Sequence, residues 1–232
     1  MRASSERGFT LIELMIAVTL VALISAGMLM AMRTSLLTYQ KTGDRLEANR
    51  RAINVEQILA REIGGLMPVS GNCPAGQGPG SPMSFFRGTE TTLHLVSSFS
   101  IAQGARGNPQ ILEFQVVPLD NGAVRLVVNE IPYTGPASMM GLCQNRFYRP
   151  VPVGPSSFVL ADNLAFCRIS YHEPYDDVFT PVRWLPVWNQ DRLPSGIRID
   201  MAPMRPEPGG LPVIGMTVPI RVNRDVMIPY AQ

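Results

Sequence analysis

The chain has 232 residues, 46% of them apolar and 16% charged, with 21 Pro, 20 Gly and a formal net charge of +2. So even a balance gives no electrostatic drive toward nucleic acid, and no basic run interleaves with aromatics as single-strand binders require. The cluster Arg45, Arg50, Arg51 and Arg61 is interrupted by Asp44, Glu47, Glu56 and Glu62, which reads as a solvated helix face.

The first element is apolar. A polar leader, Met1 to Arg7, runs into Gly8, and from Phe9 the chain carries a single acid, Glu13, before Arg33. The tract Leu14 to Met32 has the length to cross a bilayer, which takes about 20 apolar residues in a helix. Arg2 and Arg7 precede it, so the positive-inside rule keeps the leader cytoplasmic and places the rest of the chain outside. In a secretory signal the small cleavage-site residue follows the apolar core. Here Gly8 precedes it, so cleavage there keeps the anchor.

The residues Gly8-Phe9-Thr10-Leu11-Ile12-Glu13-Leu14-Met15-Ile16-Ala17 resemble the class III signal of type IV prepilins and pseudopilins. The resemblance implies cleavage after Gly8 by a membrane peptidase and methylation of the new amino terminus, Phe9. It makes Glu13 the fifth residue of the mature chain. A carboxylate in hydrocarbon costs roughly 2.5–3.5 kcal/mol on insertion scales and needs a partner. The obvious cation is the Phe9 amino terminus of a neighbouring subunit, a pairing that sets the axial register of stacked anchors. Snorkelling of Glu13 to the headgroups is the alternative.

Beyond Arg33 the apolar residues Ala48, Ala52, Val55, Leu59, Ile63 and Leu66 recur at helical spacing, with Arg50, Asn54, Gln57 and Arg61 on the other side. Gly64, Gly65 and Pro68 mark the stop. One helix from about Phe9 to Ile63 is expected, on the order of 80 Å long, with Gly43 as a place for a bend and the stripe packed on a sheet. Strands are expected over 91–96, 110–117, 123–128, 157–160, 164–171, 196–201 and 214–222, with a hairpin at Asn121-Gly122 and Pro219 at an edge. The segments 67–84, 132–155 and 201–211 read as irregular connections. The fold class is α+β: a long N-terminal helix on an antiparallel sheet. The divisions are a leader (1–8), an anchor half of the helix (9–32), an amphipathic half (33–66) and a globular region (67–232).

Three cysteines lie outside the membrane. Cys73 and Cys143 sit in Gly/Pro-rich loops and form the expected disulfide, with Cys167 as a core residue. Three free thiols is the other reading, because sequence does not fix connectivity. His94 and His172 lie in separate segments without metal or catalytic spacing, the cysteines lack a C-x-x-C pattern, and no Gly-rich phosphate loop follows a strand. Ser195 has no nucleophile motif around it. No enzymatic activity, cofactor, metal or small-molecule substrate is therefore expected. His94 reads as a satisfied surface or edge residue, and Glu173, Asp176 and Asp177 as solvated loop carboxylates without calcium-loop spacing. Trp184 and Trp188 flank Pro186 as either a partner surface or a core cap, a choice that their exposure decides.

A second resemblance covers the globular region. Phe86-Arg87-Gly88 with Leu93-His94-Leu95-Val96-Ser97, then 164–171, Trp184, Trp188 and 193–199, look like segments of J-type minor pseudopilins of type II secretion systems. That resemblance implies a subunit of a periplasmic pseudopilus tip. Such a subunit is anchored singly in the bacterial inner membrane, binds I-type and K-type pseudopilins and primes assembly of the major subunit. The Pro-rich stretches after Pro132 and near Pro203 depart from the J-type pattern and leave a PilW-like minor pilin of a type IV pilus as the alternative.

Overall fold

The structure, a computed structural model, describes residues 9–73, 81–144, 147–174 and 183–222. A single α-helix, α1, spans Leu11–Gly64 without interruption, so Gly43 does not break it. It ends where expected, with Gly65 as C-cap, its N–H donating to the Arg61 carbonyl at 2.8 Å. Thirteen strands follow among the described residues: β1 (Leu66–Met67), β2 (Ser70–Cys73), β3 (Ser81–Ser84), β4 (Arg87–Gly88), β5 (Thr92–Ser100), β6 (Ala105–Pro118), β7 (Val124–Pro132), β8 (Cys143–Gln144), β9 (Phe147–Tyr148), β10 (Phe158–His172), β11 (Trp184–Leu185), β12 (Gly196–Pro203) and β13 (Ile214–Pro219). A 3-10 helix covers Pro136–Leu142.

The main sheet runs β1-β5-β6-β7-β10-β12-β13, antiparallel throughout, with β4 beside β5 and β11 beside β10. Its long strands pair in chain order, the meander that short connections favour. The β6–β7 turn is the one expected: Gly122 sits at φ +79°, and the Asn121 side chain accepts from Ala123 N–H at 3.0 Å. The two strands expected over 157–160 and 164–171 are one strand, β10, whose pairing shifts around Asn163 at φ 55°. β13 is the terminal strand of the path and Pro219 its last residue, where a missing donor is tolerated.

The sheet is covered on two faces. α1 lays Val55, Leu59 and Ile63 on a core of Leu93, Leu95, Leu112, Phe114, Leu126 and Val128. The opposite face packs Val96 and Ile111 against Phe85, Met139 and Tyr148. The stretches expected to be irregular, 67–84 and 132–155, thus hold two short hairpins (β2–β3 and β8–β9) and the 3-10 helix.

Candidate assembly segment and its junction with the sheet

The first half of α1 exposes apolar side chains all round: Leu11, Ile12, Leu14, Val18, Leu20, Leu23, Ile24 and Leu29 are all more than half exposed. A surface of that kind belongs in lipid or against other helices. The hydroxyls within it are satisfied on their own helix. Thr19 donates to the Ile16 carbonyl (2.9 Å), Ser25 to Val21 (2.8 Å) and Thr34 to Met30 (2.9 Å). Hydrocarbon requires this, since it offers no water to an unmet donor.

At the start of α1, Thr10 and Glu13 form a capping box. Glu13 N–H donates to Thr10 Oγ1 (3.4 Å), and the Glu13 carboxylate accepts from Thr10 N–H (3.5 Å). The spacing T-x-x-E carries that signal in the sequence. It holds the carboxylate beside the first residues of the helix, within one side chain's reach of Phe9. Gly8 lies outside the described residues.

Residues 3–29 match the family described as the prokaryotic N-terminal methylation motif. The chain carries a type IV pilin-like prepilin signal. The motif indicates a pilin-like protein processed by prepilin peptidase and anchored in a membrane, and the long helix on a large antiparallel sheet agrees with a pilin-like fold. No curated protein sequence matches the chain.

In the globular region the residues behind the J-type resemblance converge in space. Gly88 and Trp188 exchange backbone hydrogen bonds of 2.9 and 2.8 Å. Tyr171 lies between Phe86 and Trp188, at centroid distances of 6.1 and 6.4 Å, and its hydroxyl donates to the Thr89 carbonyl at 2.9 Å. A Cβ on Gly88 would fall 1.9 Å from that hydroxyl, so only glycine fits. These residues build the core.

The tryptophans separate. Trp188 is buried, with Nε1–H donating to the Arg192 carbonyl (2.8 Å), and so leaves the partner-surface reading. Trp184 is 37% exposed and stacks edge-on against His172, 4.9 Å away. His172 Nδ1 meets the Ser195 hydroxyl, and Ser195 N–H donates to the His172 carbonyl (3.0 Å). That pairing joins the end of β10 to the chain entering β12. Cys143 is disulfide-bonded, whereas Cys167 is free and buried, and burial pushes its thiol up to about 12. The Cys73 side chain, Asp176 and Asp177 lie outside the described residues. Glu173 is paired with Arg192 at 3.4 Å.

Two charged residues sit where the sequence reading did not put them. His94 is neither at the surface nor at an edge. It is buried in β5, 2.9 Å from Glu113 of β6. Burial alone would raise the Glu113 carboxyl, but the bond and charge of His94, with Val151 N–H at 2.8 Å, outweigh it and hold the pKa below the ordinary range. Asn129 and Gln115 donate to the Val151 carbonyl at 3.2 and 2.7 Å, so this network straps the 149–157 segment onto the sheet.

Glu62 is the second. Placed on the solvated face by the sequence reading, it is wholly buried. It lies three residues past Leu59 and four before Leu66, and so falls on the apolar stripe itself.

Proposed function

We propose that this protein is a minor pseudopilin of a type II secretion system, one of the subunits that form the pseudopilus tip and prime its assembly. The observation that carries this reading is a single helix with two unlike halves. The first bears the prepilin signal and an all-round apolar surface, and the second is packed into an α+β head. The chemistry is assembly. Prepilin peptidase cuts after Gly8 and methylates Phe9, leaving the periplasmic head on a single-pass inner-membrane anchor. Glu13 then exchanges its long 3.5 Å capping contact for a charge-assisted bond to the Phe9 amine of a neighbouring subunit. The globular head begins near residue 67 and contacts I-type and K-type partners, with Trp184 on that surface. Cys73 is the partner of Cys143.

The test is recovery of the membrane-extracted native protein with mass spectrometry of its partners and its own N-terminus. Methylated Phe9 recovered with I-type, K-type and major pseudopilins supports the reading. An intact Met1 without such partners defeats it. Glu13→Ala should leave cleavage intact and reduce recovery of partner subunits, and unchanged recovery removes the register role.

The Pro-rich stretches after Pro132 and near Pro203 leave a second reading, a PilW-like minor pilin. Recovery with type IV pilus subunits would select it.

A further inference from the structure

The joint between α1 and the sheet contains an anomaly that assembly does not explain. Both carboxylate oxygens of Glu62 are buried without a hydrogen-bond partner, and so is Oε1 of Glu130 on β7. A buried polar oxygen without a partner is expensive, and two neighbouring carboxylates cannot both hold their charge in such a place. Among the described residues, the groups around Glu62 offer it no cation. From β5 comes the Ser97 hydroxyl, which accepts from Phe99 N–H at 3.1 Å and faces the carboxyl as a neutral group, not a cation. Neighbouring β6 has Gln110, turned to the Asn108 carbonyl, and the exposed Arg106 opposite Phe99. Glu130, from β7, is itself held by Ala102 N–H at 3.0 Å. On α1, Arg61 lies over the Phe99 ring, 5.9 Å from its centroid.

We propose that Glu62 is a proton-operated latch: as a neutral acid it seats the last turn of α1 on the sheet, and loss of that proton releases the turn. Burial first, then the Glu130 charge, raise the Glu62 carboxyl to about 8, with the Ser97 hydroxyl pulling weakly the other way. The sign follows from linkage. With the turn lifted, Glu62 is in water and ionises in the ordinary carboxyl range; with it seated, the group keeps its proton. Opening therefore releases a proton, and its population rises about tenfold per pH unit from roughly pH 5 until the seated form itself ionises. The latch sits where β1 leaves the helix, at Gly65 N–H to the Arg61 carbonyl and Ser98 N–H to the Gly65 carbonyl. Mildly alkaline surroundings thus free the head to tilt against its anchor. The inference is independent of which assembly the protein serves.

Amide hydrogen exchange of the full chain in detergent micelles reads this directly. Intrinsic exchange rises tenfold per pH unit, so a latch gives the Gly65 and Ser98 amides a slope of about two in log rate against pH between roughly 5 and 8. Glu62→Gln should return that slope to one, and in the unmodified chain the Gly65 and Ser98 amides should be less protected than the Phe114 amide, which pairs in the middle of the sheet and opens only with the whole fold. Because the variant alters a buried site, the carboxyl carbon of Glu62 in the unmodified chain is titrated by NMR as well. A midpoint near 8 supports the latch, and one in the ordinary carboxylate range overturns it. A slope of one at Gly65, protection at Gly65 and Ser98 equal to that at Phe114, or protection that depends on chelators instead of pH would each overturn it.

Discussion

On the face that receives α1, the sheet offers Leu93, Leu95, Leu112, Phe114, Leu126 and Val128, and the helix answers with Val55, Leu59 and Ile63. On the other face it offers His94, Glu113 and Asn129 beside Val96 and Ile111, and an irregular segment answers through Val151 backbone groups and Tyr148. An amphipathic helix satisfies its own backbone and can be held by apolar area alone. A segment rich in proline has backbone groups to spare, and the sheet must supply partners for them. The same sheet therefore carries a greasy face for the helix and a hydrogen-bonding face for the strap. Each face also breaks its own pattern, with buried Glu62 among the aliphatics and the ring pair Phe85–Tyr148 beside the polar network, 4.5 Å between centroids.

The largest expected effect tests the polar face. Glu113→Ala strands buried His94, the Val151 N–H and Asn129, and breaking a buried pair costs about 3–5 kcal/mol. Denaturant melting should show that loss, and proteolysis should cut first within 134–157. If the loss is below about 1 kcal/mol, the strap is held by Met139 and Tyr148 instead. Acid acts on the same group. The Glu113 carboxyl is depressed in the folded protein, so its contribution is present above the ordinary carboxyl pKa and is lost as pH falls through the depressed value. The strap should thus loosen at acidic pH, the opposite sense to Glu62.

On the apolar face, Leu59→Ala removes a side chain with no exposure at the centre of the helix contact, and about 2–5 kcal/mol should follow. Ile24→Ala, in the lipid-facing half, should leave the melting of the head unchanged. A head destabilised by Ile24→Ala would mean that the two halves of α1 are not independent.

Glu62→Gln sharpens the exception. A carboxyl raised from 4.5 to about 8 makes stability fall as pH rises between those values, by about 1.4 kcal/mol per unit, and the glutamine should remove that slope. Near pH 7 the charge-related cost is on the order of 3 kcal/mol, and the amide's own unmet hydrogen bonds return about 1–3 of it. The variant is thus expected to equal or exceed the parent at neutral pH and to fall behind it in acid. Parallel pH profiles for the two proteins would show that Glu62 is ionised throughout.

The two faces were not equally legible in the sequence. Val55, Leu59 and Ile63 repeat at the helical period, and 91–96 alternates, so local pattern locates the helix face and the strand beneath it. The strap has no such period, because its anchor, Glu113, lies 38 residues from the Val151 amide it holds. Glu62 is hidden for another reason: its spacing puts it on the stripe while its charge argues for solvent, and here burial wins. Glu13 is legible from its motif, and the T-x-x-E spacing within that motif also carries the capping box with Thr10.

The smallest expected effect separates charge from hydrogen bonding on the polar side. Arg87 is buried next to Tyr148, with its guanidinium donating to the Phe86 and Gln190 carbonyls at 3.0 and 2.5 Å and to Asp191 at 2.7 Å. Asp191 itself is 59% exposed, so water screens its charge, while the two carbonyls stay in place when it is changed. Asp191→Asn should therefore cost no more than about 1 kcal/mol, and the difference should shrink in molar salt. A larger, salt-independent loss would mean that the carboxylate is what keeps Arg87 folded inward. The ion pair would then belong with the buried network of Glu113, and the polar face would be stabilised by charge as much as by backbone hydrogen bonds.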